Sequence, residues 1–459
     1  MSYFNIGILG SGGREHAIGK ALCKSKKGFN LFYMGNHQNI GLDELKANYN
    51  YGDITNTKQV LQWSQKNELQ FVIIGPEKPL EAGVVDVLES NHIACFGPHQ
   101  VLAQLETSKL FCRKFLKILE SVTNMKLNPK FYEFKDEYDI IQFTNTYNKP
   151  FVIKQDKLAG GKGVQVMGDH FNTASEGQRI CLDYFKKNIP FIVEEKLEGE
   201  EFSLMSITDG VTTAHCPPVQ DYKRAFDNDN GLNTGGMGAV MNYLPFLLDK
   251  EIRIAEVINE MVINNISGYT KAFGNDNKKY RGVLYGSFIK TRKGIRVIEY
   301  NCRFGDPEVI PILESMKTSF FKVCLDTLTN SLNKPIEFNT RPYLTKYIVP
   351  EGYPTNSMKN YEFYTHELNQ ENITWASCEK KDNHYLQLGS RTFAYTLTGT
   401  NMANLQKKIN KELSKVQGRV YFRKDIGNFF KTKYSQAGVD IGLGNKIVRE
   451  IQPLIRETE

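Results

Sequence analysis

The chain has 459 residues, of which 41% are hydrophobic and 24% are charged, and this length suits about two to four globular domains. Its net charge of +7 is mild, so anionic small molecules explain it as well as nucleic acid does, and no nucleic-acid-binding motif favours the latter. No apolar run reaches the ~18 residues of a membrane helix. The eight cysteines form no C-x-x-C pair, which predicts reduced thiols in a cytoplasmic protein.

The N-terminal part, residues 1–104, alternates between strand-like and helix-like patterns. Such alternation predicts a doubly wound parallel sheet, and these sheets bind ligands beyond the carboxyl ends of their strands. The predicted strands are 4–10, 31–34, 71–75 and 93–96, and the predicted helices are 14–25, 58–66 and 80–90.

A glycine-rich turn follows the first predicted strand and opens the first helix. Amides at a helix start favour an anion, so Gly10, Gly12, Gly13 and Arg14 are candidates for binding a phosphate. Glu15 stands where a dinucleotide fingerprint needs glycine, which favours a sugar phosphate or mononucleotide over NAD or FAD. A tight strand–helix connection without a ligand is the alternative.

Two further charged residues lie where a ligand could bind. Glu77 follows the third predicted strand, where a carboxylate can bind an amine or a hydroxyl, although a proline-rigid turn is the alternative. Lys109 opens a helix, and a lysine there opposes the helix dipole, which favours an anionic partner, although an ordinary solvated lysine is the stronger alternative for this residue taken alone.

The rhythm changes after residue 105, where strand pairs replace the regular alternation. We expect a mixed α+β domain over 105–330, with a lid subdomain at about 124–195, and a strand-rich cap domain over 331–430. The fold class predicted for the whole chain is therefore α/β and α+β, multidomain. The predicted strand pairs are 151–154 with 164–167, 191–195 with 202–208, and 281–290 with 294–300; the helices are 108–119, 249–264 and 402–416; and the cap strands are 343–349, 373–378, 385–388, 392–397 and 419–422.

The loop between the strands at 151–154 and 164–167 is rich in glycine and lysine. Glycines let backbone amides approach an anion closely and lysines offset its charge, so Lys154, Gly161, Lys162 and Gly163 predict a phosphate-binding loop. It is not a Walker loop, because Gly163 stands where Ser or Thr should follow the lysine and a strand follows instead of a helix. A glycine-rich hairpin of this kind resembles the ATP-grasp ligases, and an ordinary surface hairpin is the alternative.

The segment 297–301 alternates as a strand, so Glu299 and Asn301 project to one face. One carboxylate and one amide oxygen suit Mg²⁺ held together with substrate phosphates. Arg303 follows four residues after Glu299 and could neutralise a transferring phosphoryl group. A coincidental surface ladder is the alternative.

Two other polar segments are candidates for binding small molecules. The strand at 191–195 ends in carboxylates and could meet an adenine edge and a ribose, or be an acidic turn. The segments 220–224 and 231–238 combine charge with flexible backbone and could hold a zwitterion or a phosphate, or form a disordered loop. The candidates in them are Glu194, Glu195, Leu197, Glu201, Asp221, Lys223, Asn233, Thr234, Gly235 and Gly236.

Taken in order, these motifs resemble the phosphoribosylamine–glycine ligase (glycinamide ribonucleotide synthetase) family over residues 1 to about 430. The resemblance rests on GSGGREHA at 10–17, GPEKPL at 75–80, LAGGKGV at 158–164, NTGGMGA at 233–239 and EYNCRFGDPE at 299–308. It implies an ATP-grasp enzyme of de novo purine synthesis that joins glycine to 5-phosphoribosylamine through a glycyl phosphate, releasing ADP and phosphate. Another ATP-grasp ligase or carboxylase, or a non-catalytic descendant, is the rival interpretation.

The resemblance also implies roles for individual residues. Lys109, Lys154 and Lys162 would meet the ATP phosphates with Gly161 and Gly163, and Glu299 and Asn301 would hold Mg²⁺ or Mn²⁺. The adenine of ATP would bind at a hinge formed by Glu194, Glu195 and Leu197, and its ribose would bind Glu201. The reacting glycine would be surrounded by Asp221, Lys223, Arg303 and the loop of Asn233, Thr234, Gly235 and Gly236. Phosphoribosylamine would face Gly10, Gly12, Gly13, Arg14, Glu15 and Glu77.

Some segments depart from the family pattern. Lys157 adds charge beside the phosphate loop, and Leu232 replaces a proline before Asn233, so that loop should be more mobile. Residues 434–449 resemble the start of aminoimidazole ribonucleotide synthetase, which predicts that 431–459 begins a fused second-enzyme domain and that the chain is a fragment of a multifunctional protein. An amphipathic terminal helix is the alternative for this tail.

Overall fold

The computed structural model describes residues 4–25, 28–159, 163–275, 278–333 and 335–428. Its N-terminal part is a parallel sheet with the strand order β3-β2-β1-β4-β5, flanked by helices, as predicted. The strand β4, which lies between β1 and β5, is buried along its whole length, which explains its unbroken apolar sequence. The elements are β1 Phe4–Leu9, α1 Gly13–Cys23, β2 Phe29–Gly35, α2 Ile40–Glu44, β3 Asn48–Tyr51, α3 Thr57–Lys66, β4 Phe71–Ile74, α4 Lys78–Glu81, α5 Val84–Ser90 and β5 Ala94–Phe96.

Two details of this sheet differ from the sequence-based prediction. The strand β3 was not predicted, because its sequence Asn-Tyr-Asn-Tyr is too polar to show an apolar run at this sheet edge. The helix predicted over 80–90 is two helices, since Gly83 adopts a φ of +76° between them. Glycine reaches that conformation without the steric cost that other residues meet.

A small antiparallel sheet follows, with the order β6-β9-β7-β8, and we call it the lid sheet. It has a hydrophobic core of its own that includes Phe151, Ile153 and Val193. The elements of this part are α6 Gln100–Thr107, α7 Lys109–Thr123, β6 Phe131–Tyr132, α8 Glu137–Thr146, β7 Phe151–Gln155, β8 Val164–Val166, α9 Ala174–Lys186 and β9 Phe191–Glu195.

The pairing predicted between 191–195 and 202–208 is wrong. Both edges of β9 are taken by β6 and β7 in the lid sheet, whereas the next strand, β10, pairs with β16 elsewhere. Sequence proximity favoured a hairpin, but the side chains of Phe202 and Leu204 belong to a different core from that of Val193. The chain therefore leaves the lid at about residue 196.

The main sheet has the order β17-β16-β10-β12-β15-β18-β23-β20, with β11 on β10 and β25 on β18. It joins the central and C-terminal parts of the chain, because β15 and β18 pair side by side. A Cβ atom on Gly238 would lie 2.4 Å from the Thr345 carbonyl, so glycine allows this close approach. The central elements are β10 Glu200–Thr208, β11 Thr213–His215, β12 Val219–Asp221, β13 Arg224–Phe226, β14 Asn230–Asn233, β15 Gly238–Met241, α10 Asp249–Lys271, β16 Gly282–Thr291, β17 Gly294–Asn301, α11 Val309–Ser315 and α12 Phe320–Leu328.

The C-terminal part adds strands to the main sheet and forms a second small sheet, β21-β22-β19-β24. The single strand predicted over 373–378 is two strands in different sheets, because the chain turns at Ala376. No helix in the described ranges is both long and apolar enough to span a membrane. The elements are β18 Tyr343–Pro350, β19 Glu362–Tyr364, β20 Ile373–Trp375, β21 Cys378–Lys381, β22 His384–Gln387, β23 Phe393–Thr398, α13 Met402–Leu413, β24 Gln417–Gly418 and β25 Val420–Tyr421.

The N-terminal and C-terminal parts are joined by buried polar contacts. The Trp375 amide donates to Nδ1 of His16 at 2.8 Å, and the Asn39 side chain donates to the Trp375 carbonyl at 3.0 Å. Burial lowers the pKa of His16 to about 3, so this imidazole is neutral and can accept the bond. These contacts hold the N-terminal and C-terminal parts against each other beside the cleft described next.

Candidate functional site

A cleft of about 740 Å³ lies between the lid sheet, the main sheet and the N- and C-terminal parts. Most of the residues predicted to form the site line this one cleft, although they come from strands and loops that are far apart in the chain. They are Arg14, Glu77, Lys109, Lys154, Gly163, Glu194, Leu197, Glu201, Asp221, Lys223, Asn233, Thr234, Gly235, Glu299, Asn301 and Arg303.

The other predicted residues lie behind or outside this lining. The Gly12 amide donates to the carboxylate of Glu15 at 2.6 Å, so an internal group already accepts from this helix start, while Gly10 and Gly13 lie nearby in the same turn. Glu195 accepts from the Lys130 amide at the edge of the lid sheet. Gly236 lies against the wall of the cleft, where an added Cβ would lie 2.8 Å from Oδ1 of Asp221. Gly161 and Lys162 fall outside the described residues.

Beneath the lid sheet, a buried charge cluster holds one of the predicted lysines. Glu194 accepts from Arg113 at 2.6 and 3.1 Å and pairs with Nζ of Lys154 at 2.7 Å. Burial alone would raise the pKa of Glu194, but the charges of Arg113 and Lys154 outweigh it and lower the pKa to about 2. The Glu194 side chain therefore fixes Lys154 in place. We call Arg113, Lys154 and Glu194, together with Lys109 and Glu299, the lid end of the cleft.

Sequence reasoning missed Arg113. It lies one helical turn after Lys109 on α7, among the buried residues Cys112, Phe115 and Leu116. A charged residue inside an apolar helix face is the signal that could have found it, since arginine is rarely buried without a partner.

The predicted metal ligands lie at the lid end. Nζ of Lys109 is 4.0 Å from Oε2 of Glu299, and Oδ1 of Asn301 accepts from Arg303 at 3.2 Å. Burial raises the pKa of Glu299, but the charges of Lys109 and Lys223 outweigh it, so the carboxylate is ionised. No group of three or more His, Cys, Asp or Glu side chains suited to a metal occurs within the described ranges. One carboxylate and one amide oxygen fit a divalent ion that takes its other ligands from phosphates and water.

Arg303 is held by carboxylates on two sides. Its Nη2 is 3.0 Å from Glu106, and its Nε is 3.4 Å from Glu77. Burial alone would lower the pKa of Arg303. The charges of Glu106 and Glu77 outweigh burial and raise this pKa above its ordinary value, so the guanidinium stays charged. Glu106 also accepts from the Cys302 amide at 2.7 Å and was not predicted, because nothing in the sequence of α6 links it to residue 303.

A second cluster in the lining of the cleft contains the carboxylates of Asp221 and Glu308 with one lysine, Lys223, beside them. Oδ1 of Asp221 is buried and has no hydrogen-bond partner among the described residues. Burial, and then the charge of Glu308, raise the pKa of Asp221 well above its ordinary value. Tyr285 donates to Glu308 at 2.7 Å, and Nζ of Lys223 is 4.0 Å from Asp221. We call Asp221, Lys223, Glu308 and the loop 233–236 the loop end; its free acceptor suits a ligand ammonium.

A small antiparallel lid sheet beside a cleft that is lined by lysines and a carboxylate–amide pair is typical of an ATP-grasp protein, the class predicted from the hairpin at 151–167. Comparison with family models agrees with this class. The models described as Phosphoribosylglycinamide synthetase N domain, ATP-grasp (A) domain and C domain match residues 4–106, 107–309 and 343–429.

Individual relatives lead to the same family. The phosphoribosylamine–glycine ligase of Methanocella arvoryzae is 36% identical over 92% of this chain and 95% of its own length, and that of Thermococcus gammatolerans is 33% identical over 92% and 94%. The chain therefore belongs to the phosphoribosylglycinamide synthetase family, as its motifs predicted.

Solved structures confirm the predicted fold class. The crystal structure of a phosphoribosylamine–glycine ligase from Thermotoga maritima superposes with a TM-score of 0.74 at 25% identity, covering 92% of this chain and 99% of that one. The biotin carboxylase domain of the Hydrogenobacter thermophilus 2-oxoglutarate carboxylase, solved with MgADP and bicarbonate, gives a TM-score of 0.72 at 13% identity, covering 92% of each chain. The second likeness is one of fold alone.

Proposed function

We propose that this protein ligates glycine to 5-phosphoribosylamine at the expense of ATP, giving glycinamide ribonucleotide, ADP and phosphate. The observation that carries the proposal is the single cleft whose lining brings together Lys109, Glu299, Asp221 and Lys223. Membership of the family, and the names of relatives that cover nearly the whole chain, support it.

ATP would occupy the lid end. Lys109, Lys154 and Lys162 would bind its phosphates with the amides of Gly161 and Gly163, as lysines and glycine-rich backbone do for anions. The adenine would meet the backbone at Glu194, Glu195 and Leu197, and Glu201 would accept from the ribose. Since the Glu194 carboxylate is already engaged by Arg113 and Lys154, its contribution to adenine binding would come from its main chain.

The ATP-grasp fold implies a divalent ion with the nucleotide, and Mg²⁺, or Mn²⁺ in its place, would be held by Glu299 and Asn301. Such an ion supplies charge neutralisation for the phosphates. Both side chains line the cleft beside Lys109, and the carboxylate–amide donor set is the one that a hard cation prefers.

The chemistry follows from the poor leaving group of a free carboxylate. A carboxylate oxygen of glycine takes the terminal phosphoryl group of ATP, the bond to ADP breaks, and glycyl phosphate forms. The amine of phosphoribosylamine then attacks the carbonyl carbon, loses a proton, and expels phosphate. Arg303 would stabilise the charge on the phosphoryl group, and a closed lid would keep water from the acyl phosphate.

The two small substrates would bind around the loop end. The ammonium of glycine would meet the free acceptor of Asp221, with Lys223 and the loop Asn233, Thr234, Gly235 and Gly236 around its carboxylate. Phosphoribosylamine would face Arg14 and Glu77, with Gly10, Gly12, Gly13 and Glu15 shaping the turn behind them.

Three coarser expectations complete the proposal. We propose a cytoplasmic location, supported by the eight free cysteines. The domain limits at about 104, 330 and 430 remain predictions. The tail at 431–459 lies outside the described residues, so the fused aminoimidazole ribonucleotide synthetase domain also stays a prediction.

The test is ADP release from the purified chain with ATP, Mg²⁺ and single or paired substrates, with phosphoribosylamine generated in the assay. We expect release only when glycine and phosphoribosylamine are both present. Release driven by bicarbonate would instead favour a carboxylase, whose fold the chain shares. No release under any combination would favour a non-catalytic descendant.

A further inference from the structure

One of the arginines that line the cleft comes from the C-terminal part of the chain. Arg391 lies in the turn between β22 and β23, and its side chain is only 16% exposed. Its Nη1 donates to the carbonyls of Gly235 at 2.5 Å, Gly236 at 3.1 Å and Asp306 at 2.9 Å. Three backbone carbonyls from two separate loops therefore converge on one guanidinium.

The guanidinium is itself fixed from behind. Nη2 of Arg391 donates to the carboxylate of Asp306 at 2.9 Å, and that carboxylate also accepts from Tyr347 at 2.7 Å. The guanidinium lies over the Tyr347 ring at 4.4 Å, a cation–π distance. Tyr347 is fully buried in β18 of the main sheet, so the arginine is anchored to a rigid strand.

The loop that Arg391 contacts is also held on both sides, by hydrogen bonds from Thr234 to the Lys223 carbonyl and from the Met237 amide to the Tyr222 carbonyl. Gly236 has a φ of +107°, and its Cα packs so closely that an added Cβ would lie 2.4 Å from Pro307 and 2.8 Å from Asp221. Glycine adopts this conformation but does not enforce it, because its backbone is free to take many others. Between the flanking hydrogen bonds, Arg391 contacts the carbonyls of Gly235 and Gly236 and so adds a constraint at the point where the loop meets Asp221.

We infer that Arg391 is a positioning residue: it sets the Gly235–Gly236 backbone against Asp221 and so shapes the loop end of the cleft. Resting on the proposed function, this assigns to the C-terminal part of the chain a role in binding and orienting glycine, separate from ATP binding. Arg391 contacts the loop and Asp306, whereas the charged groups of the lid end pair with one another.

The experiment compares Arg391→Lys and Tyr347→Phe with Arg419→Lys in the full-length chain. Lysine keeps the charge but loses the planar fork that reaches several acceptors at once, and phenylalanine removes only the hydroxyl that fixes Asp306. Arg419 is the matched control, because its guanidinium also lies over a tyrosine ring, Tyr361 at 5.0 Å, on the exposed surface of the same part of the chain.

We expect Arg391→Lys to lower kcat/KM for glycine by about 10- to 100-fold, since small misplacements around reacting groups cost this much. Tyr347→Phe should shift the same parameter less, and Arg419→Lys should leave it unchanged. Binding of a non-hydrolysable ATP analogue, measured by calorimetry, should stay within about twofold of wild type in every variant.

Hydrogen exchange provides a readout that does not depend on the substrate. The amides of Gly236 and Met237 donate to Thr234 and Tyr222, and they should exchange faster in Arg391→Lys but not in Arg419→Lys. Glycine kinetics and exchange both equal to wild type would overturn the inference. A loss of ATP-analogue binding as large as the loss of kcat/KM for glycine, together with a lower melting temperature, would also overturn the inference, because it would show a general structural role for Arg391.

Failure of the proposed function is distinguishable from failure of this inference. If the wild-type chain releases no ADP with glycine and phosphoribosylamine, the proposed function fails. The exchange comparison still decides whether Arg391 holds the loop, because it needs no substrate.

Discussion

The lid end and the loop end of the cleft differ in how the charge of their buried carboxylates is compensated. At the lid end, the Glu194 carboxylate is matched by Arg113 and Lys154, and its pKa falls to about 2. At the loop end, Asp221 has a buried oxygen without a partner in the described part of the chain, and burial raises its pKa well above the ordinary value. The Glu194 carboxylate of the lid end is therefore paired without a ligand, whereas the loop end has an acceptor that a ligand ammonium would satisfy.

The largest effect is expected from removing Glu299, the lid-end carboxylate whose pKa is lowered by both Lys109 and Lys223. We expect Glu299→Ala to lower kcat by about 10²- to 10³-fold, since it removes a proposed metal ligand and the partner of Lys109. The measurement is steady-state ADP release at saturating substrates. Glu256→Ala is the control, because Glu256 pairs only at the surface with Arg253 in the described structure of α10. Turnover unchanged in Glu299→Ala would remove this residue from the proposed metal site.

Glu194→Gln tests whether the lid end is held together by its own charges. The lowered pKa of this buried carboxylate corresponds to about 3 kcal/mol of stability at pH 7. That contribution is fully present above pH ~4.5 and is lost as the pH falls through about 2, so the gap between variant and wild type should narrow in acid. Denaturant unfolding from pH 7 to pH 3 measures it. A gap that does not depend on pH would contradict the charge-based account.

Asp221→Asn should behave in the opposite way. An acid whose pKa is raised by burial destabilises the folded protein once the pH exceeds its ordinary value, so the neutral amide should not lower the melting temperature at pH 7. Glycine KM should rise about tenfold, as the charged acceptor of an ammonium is lost, while ATP-analogue affinity stays constant. A melting temperature several degrees below wild type would show that Asp221 has a stabilising partner after all.

The smallest effect is expected at the ion pair between Arg224 and Asp169. Arg224 donates to Asp169 of the lid region at 2.6 Å, but both side chains are partly exposed. Such pairs contribute less than about 1 kcal/mol. Asp169→Asn should therefore change the KM for ATP by no more than about threefold, and added salt should reduce the difference further. A tenfold change would indicate that this pair controls lid closure.

The lid end was the more predictable of the two from sequence. Lys109, Lys154, Glu299 and Asn301 lie in short motifs whose spacing within a strand or at a helix start already shows which side they face. What sequence could not give is their pairing. Arg113 meets Glu194 across 81 residues, and nothing local to either position records that contact.

The loop end was less predictable because its geometry depends on still longer contacts. Arg391 reaches Gly235 across 156 residues, and nothing local to either position indicates that contact. Glu308 was part of a recognised segment, yet its role depends on the hydroxyl of Tyr285, which periodicity does not reveal. The same limit explains the wrong pairing of 191–195, since a strand pattern does not specify which sheet the strand joins.

The pairing of β15 with β18 carries a consequence for how such a protein can be rebuilt. Because one hydrogen-bonded sheet crosses from the central part into the C-terminal part, a chimera joined near residue 340 would have to match two strand surfaces from different parents. The lid, which has its own core and few strand partners outside it, is the natural unit for exchange or insertion. Grafting should therefore succeed at its borders and fail across the shared sheet.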